Sequence, residues 1–139
     1  MERAMEWTPE TSRAIVAALR ERVRTVANRQ GDRVVEHVGK NWISWRSRNR
    51  NRVFAEIRAL HGRVQVFILP APRELHDGGG LALRAPPTQG WGWFRSRLEI
   101  SSALRVTSAA RLIVQSYEHV IREGNGGRRP GGVRRKQAL

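Results

Sequence analysis

Cysteine is absent from the 139-residue chain, which excludes disulfides and thiolate metal sites and suits a reducing compartment. The four histidines, His37, His61, His76 and His119, are scattered, with none at the i,i+4 spacing of a metal pair, so neither a metal nor another cofactor is expected. Long hydrophobic runs are missing too. Purely apolar stretches, Ala14 to Leu19 and Val66 to Leu69 among them, are far short of a bilayer span, and the opening MERAMEWTPET is charged where a signal peptide would be apolar. These absences give the expectation of a cytoplasmic protein without membrane contact. Acids are scarce as well: 12 stand against 26 basic residues, for a net charge of +14. A chain so unbalanced is attracted to polyanions, of which nucleic acid is the commonest in a cell.

What is present is enough to fold. Hydrophobic residues make up 40% of a chain whose length fits one domain with a real core. Thr8-Pro9-Glu10 combines an N-cap, a proline at the first helical position and an acid in the first turn. Ile15, Leu19, Val23 and Val26 then recur at helical spacing, with Arg13, Arg20 and Arg24 as the solvated side and Gly31 as the stop. After Gly31 the period drops to two. Residues 33–38, 41–47, 53–60 and 63–69 each read as a strand, and the last, apolar on both faces, as a central one. In the third strand, strict alternation puts Val53, Ala55, Ile57 and Ala59 on one face and Phe54, Glu56, Arg58 and Leu60 on the other.

Residues 70–90 are broken by prolines and glycines, although Leu81 to Leu83 can form a short strand. A half-buried strand follows at 93–100. Ser101 and Ser102 can cap a closing helix whose packed stripe is Ala109, Ile113, Ser116, Tyr117 and Val120, stopped by Gly124. The expected fold is α+β: an antiparallel meander flanked by an N-terminal and a C-terminal helix, as a single domain over residues 1–123. Residues 124–139, GNGGRRPGGVRRKQAL, read as a flexible basic tail.

Several of these segments together resemble the uncharacterised bacterial domain-of-unknown-function family 5655, which carries a "predicted transport protein" label. They are Trp42-Ile43-Ser44-Trp45, Val53-Phe54-Ala55-Glu56-Ile57, the glycine-aromatic turn Gly90-Trp91-Gly92-Trp93, Leu98-Glu99-Ile100-Ser101-Ser102, and Leu112-Ile113-Val114-Gln115-Ser116-Tyr117-Glu118. The resemblance covers residues 33–120. It implies a small α+β domain and no established activity. Where that family commonly has histidine and aspartate in a turn, this chain reads Gly-Trp-Gly-Trp-Phe-Arg.

The charge excess concentrates in two places, +4 over residues 31–60 and +5 over residues 121–139. In the first, SWRSRNRNRV alternates Arg46, Arg48, Arg50 and Arg52 with small polar residues at the tip of the second hairpin. The turn is expected between Arg48 and Asn51, because asparagine tolerates left-handed backbone angles. A basic hairpin end can lie along phosphates or enter a groove. Trp93 shares a strand face with Arg95 and Arg97, a combination that stacks bases while neutralising phosphates. The tail adds Arg128, Arg129, Arg134, Arg135 and Lys136.

The sequence therefore points to a small, non-catalytic, basic module that binds DNA or RNA mainly through phosphates, with weak sequence preference. A regulatory domain docking an acidic protein partner is the alternative. A metal-dependent nuclease, with Glu56 or Glu99 in the site, ranks behind both, because the acids lack the spacing of common nuclease cores.

Overall fold

The structure is a computed structural model and describes residues 9–86 and 93–123. Helix α1 (Pro9–Arg29) leads into strands β1 (Val34–Val38), β2 (Ile43–Ser47), β3 (Arg52–Leu60) and β4 (Arg63–Ile68). A loop with a 3-10 turn at Pro72–Glu74 follows, then the two-residue strand β5 (Leu83–Arg84), β6 (Ser96–Ile100), a second 3-10 turn at Ala103–Arg105, and α2 (Val106–Glu123). All strand pairs are antiparallel, in the order β1-β2-β3-β4-β6-β5. This is the α+β architecture the periodicities predict. The tail after Glu123 lies outside the described residues.

Both helices pack on one face of the sheet and against each other. On α1, Ile15, Leu19, Val23 and Ala27 repeat every fourth residue and are buried; Gly31, at φ +72°, then turns the chain towards β1. On α2, Ala109, Ile113, Ser116, Tyr117 and Val120 have no solvent exposure, so the stripe read from sequence is the packed one. Between helices and sheet lie Trp45, Phe54, Ile57, Val66, Ile68 and Leu98. Each such side chain, removed wholly from water, contributes about 1.5–3 kcal/mol. As expected for a central strand, β4 is buried on both faces from Val64 to Ile68.

One departure from strict alternation matters. Trp45 pairs with Ala55, but Arg46 pairs with Val53, so β3 carries an extra residue at Phe54. This bulge turns Phe54 into the core beside Ala55, where its ring meets Tyr117 edge-on at 5.3 Å. Phe54 therefore leaves the face it was expected to share with Glu56, Arg58 and Leu60, and Val53 takes its place there beside Arg46.

A second departure concerns the arginine row of α1. Arg20 is not simply solvated. Its Nε donates to Glu36 Oε1 at 2.7 Å, and the same carboxylate oxygen accepts the indole N–H of Trp45 at 2.8 Å. Burial works to raise the Glu36 carboxyl, but these hydrogen bonds and the charges of Arg20 and Arg24 hold it below the ordinary glutamate range. The bridge ties α1 to β1 and β2.

Candidate nucleic-acid interface

The β2–β3 hairpin turns at residues 48–51, with Asn51 at φ 52°, the only non-glycine residue in the left-handed region among those described. Its end is held from behind by one carboxylate. Asp32, buried in the turn after α1, accepts hydrogen bonds from the N–H groups of Arg33 at 2.7 Å and Asn49 at 3.0 Å. It also accepts the hydroxyls of Ser47 at 2.5 Å and Tyr117 at 2.9 Å. Arg48 N–H donates to the Arg33 carbonyl, the Asn49 side chain to the Gly31 carbonyl, and Arg50 N–H to Ser47 Oγ. Burial pushes the Asp32 carboxyl up, and the four donors outweigh it, leaving the group ionised and below the usual aspartate range. The hairpin end is thus a braced structure rather than a free wing.

The four hairpin arginines point different ways. Arg48 is exposed on the turn. Arg46 pairs with Val35 and Val53 in register and so lies on the sheet face away from the helices. The charge of Arg50 reaches Tyr117, which places it near the Asp32 brace. Arg52 pairs with Ser47 and is turned towards α2, where it faces Glu123 and His119. Burial lowers the pKa of the Arg52 guanidinium, and the charge of Glu123 opposes this. None of the four makes a direct ion pair among the described residues. The Nε atoms of Arg46 and Arg50 and Nη1 of Arg52 are shielded from solvent without a hydrogen-bond partner in the protein.

The helix-free face of the sheet extends this basic surface. Register puts Ser44, Arg46, Val53, Glu56, Arg58, Phe67, Arg97 and Glu99 on it, and Trp42 joins them through its contacts with Arg58 and Phe67. The Arg58 guanidinium lies 3.9 Å over the Trp42 ring, whose centroid is 6.2 Å from that of Phe67. Trp42 and Trp45 thus take opposite faces, as their spacing demands, and Trp45 is the one in the core. Arg58 was not among the residues expected to bind. Its alternation with Glu56 was visible, but not that the bulge would leave this face to charged groups.

Glu99 accepts from Gln65 Nε2 at 3.0 Å and pairs with Arg63 at 2.8 Å. Arg97 Nε stands 3.3 Å from the same carboxylate, within ion-pair range but off the hydrogen-bond line, so its donor stays unused. Glu56 is held above the ordinary range by burial, against the opposing charge of Arg58. It sits on β3 and Glu99 on β6, with β4 between them, a separation of about 10 Å from strand spacing alone. Two carboxylates sharing a metal would be much closer. No group of three or more His, Asp or Glu residues able to hold a metal occurs among the described residues.

Trp93, Arg95 and Arg97 are not one face. Trp93 is 64% exposed just ahead of β6, and Arg97 lies on the open sheet face. Arg95 is anchored through its backbone between β4 and β5, its N–H donating to the Ile68 carbonyl and its carbonyl accepting from Ala85, and it lines a separate cleft. Arg128, Arg129, Arg134, Arg135 and Lys136 lie outside the described residues. The basic excess does not depend on them, because the described residues hold 20 of the basic side chains against 10 of the acids.

Ser116 and Tyr117 serve the core. Ser116 Oγ accepts from Leu69 N–H at 3.0 Å and donates to the Phe54 carbonyl at 2.6 Å. Asp77 receives the N–H groups of Leu81 and Ala82, which gives the glycine run 78–80 the form of a capped loop. No helix of the described residues is long and apolar enough to cross a membrane. No protein-family model, curated protein or solved structure matches this chain.

Proposed function

We propose that the protein is a non-catalytic nucleic-acid-binding module of the cytoplasm that grips phosphates with the hairpin end and the open sheet face. The observation that carries this reading is that Arg46, Arg48, Arg50 and Arg58, spread over the hairpin end and the open sheet face, make no direct carboxylate pair among the described residues. Surface arginines that serve only solubility are interspersed with acids, whereas guanidiniums left with spare donors suit phosphate oxygens. Arg97, at the far side of the same face, stands within ion-pair range of Glu99 and is not counted with them. One face of the Trp42 ring is taken by Arg58, which leaves the free guanidinium donors of this surface as its main means of contact, to phosphates before bases. The resemblance to family 5655 adds an architecture and no activity.

The test is binding of the full chain to labelled DNA, RNA and heparin over a series of salt concentrations. With about six phosphates neutralised, the log-log salt slope is expected near −5 for duplex and near −4 for single strands. Replacing Arg46, Arg48, Arg50 and Arg58 by Ser should flatten the slope by about three to four. Failure to bind any nucleic acid at low salt overturns the proposal. Binding to an acidic protein that persists in high salt and is lost on changing Trp93 would favour a protein partner instead.

A further inference from the structure

Three arginines that are far apart in sequence converge on one cleft at the other end of the sheet. Arg73 comes from the 3-10 turn after β4, Arg84 from β5, and Arg95 from the approach to β6, around a space of 530 Å³. That volume lies within the range of small-molecule sites. Ala71, Ala85 and Phe94, each at most 8% exposed, form its apolar floor.

The frame is fixed by hydrogen bonds that do not involve the three guanidiniums. Arg84 pairs with Ser96, whose hydroxyl donates to the Pro70 carbonyl at 2.6 Å. Ala85 N–H donates to the Arg95 carbonyl, and Arg95 N–H to the Ile68 carbonyl, both at 3.0 Å. No guanidinium of the three makes a hydrogen bond or an ion pair among the described residues. The neighbouring carboxylate, Glu74, is already committed: its Oε1 accepts the Ala71 N–H at 2.8 Å. That bond first, then the charges of Arg95, Arg73 and His119, hold Glu74 below the ordinary range. Three exposed arginines thus stand around an apolar floor, Arg84 and Arg95 on hydrogen-bonded backbone, with one carboxylate nearby that is turned to its own turn.

We infer that this cleft binds a phosphate monoester. Three guanidiniums offset by one carboxylate leave a local charge that matches the −1.5 to −2 of a monoester at neutral pH, about twice that of a phosphodiester. Guanidiniums also match phosphate oxygens in geometry, offering paired N–H donors. The monoester can come from a free mononucleotide or from the 5′ end of a nucleic-acid strand. The inference stands apart from the hairpin interface and survives if that interface binds nothing.

The experiment titrates the full chain with adenosine 5′-monophosphate, with adenosine, and with the cyclic diester of the same nucleoside, following heat or amide shifts. A second arm compares a short oligonucleotide carrying a 5′-phosphate with its 5′-hydroxyl form. Saturable binding of the monophosphate, at least about tenfold tighter than of the cyclic diester and with none for adenosine, is expected in the first arm. A strand-end source gives the same preference for the phosphorylated oligonucleotide. Arg84→Ser/Arg95→Ser should abolish the preference, while Arg22→Ser/Arg29→Ser, which removes equal charge from exposed positions on α1, should keep it. Two outcomes overturn the inference: no preference for the monoester in either arm, or equal loss in both double variants, which would mark general charge attraction.

Discussion

The hydroxyl of Tyr117 donates to the carboxylate of Asp32 across 2.9 Å, joining residues 85 positions apart and tying the closing helix to the turn that braces the basic hairpin. Both ends are buried. Burial first, and then the bond to ionised Asp32, pushes the tyrosine pKa well above its ordinary value, so the phenol remains a donor at every physiological pH. Tyr117→Phe keeps the ring contact with Phe54 and deletes only the bond. The expected loss is about 1.5–3 kcal/mol, read from urea unfolding. The same brace sets an acid limit. Asp32 and Glu36 both have folded pKa values below their unfolded ones, so their contribution is complete above the unfolded values near pH 4 and is lost as pH falls through the folded ones. Tyr117→Phe, with one donor fewer on Asp32, should narrow that window.

Ser116→Ala tests a second long-range tie. The hydroxyl serves a carbonyl at the β3 bulge and an N–H beyond the end of β4, and both backbone groups lie at the buried end of the sheet. Alanine leaves both without that partner. A loss of about 2 kcal/mol is expected, a drop in Tm of several degrees by calorimetry. A change below about 0.5 kcal/mol would mean that the backbone relaxes to repair both groups.

Element types were legible from periodicity because core packing enforces it. Helical spacing gave the buried stripes of α1 and α2, except that Ala27 and not Val26 closes the stripe of α1, and continuous apolarity marked β4 as central. Site geometry was harder to read, for reasons that particular residues make plain. Alternation assigns faces only while a ladder is regular, and the extra residue at Phe54 exchanges Phe54 and Val53 between faces. Asp32 has no local mark of its role, since two of its four donors come from the second hairpin strand and turn and a third from the last helix. Arg73, Arg84 and Arg95 are unremarkable in sequence and meet only because β5 and β6 fold back beside β4. The Trp93, Arg95 and Arg97 grouping assumed a strand running from 93, whereas β6 begins at Ser96.

Glu56→Gln should stabilise the protein at neutral pH. Burial raises the folded pKa of Glu56 above its unfolded value, so ionisation opposes folding, fully at pH above the folded pKa and not at all below the unfolded one. Glutamine removes that cost and keeps the shape. The stability difference between variant and wild type is therefore expected to be largest near pH 7 and to shrink towards zero near pH 4, in unfolding curves collected across that range. A variant less stable than wild type at pH 7 would mean that attraction to Arg58 outweighs burial.

Arg48 and Arg52, four residues apart on one hairpin, should separate binding from stability. Arg48 is exposed on the turn, so Arg48→Ser leaves Tm unchanged and weakens nucleic-acid binding, with a salt slope lower by about one. Arg52 is turned under the end of α2, where burial disfavours its charge and Nη1 has no partner in the protein. Replacement by Met keeps the packing of the stem and removes the buried charge, an exchange that is neutral or stabilising by about 1 kcal/mol or more. Burial is the main cause that lowers the pKa of His119, against the charge of Glu123, and the substitution removes the Arg52 charge that lowers it further, so the His119 titration followed by NMR should move up. Affinity for nucleic acid should stay within about twofold of wild type, since a guanidinium held against Glu123 and His119 does not reach a phosphate outside. If Arg52→Met instead costs as much affinity as Arg48→Ser, the hairpin rearranges on binding and the brace at Asp32 opens.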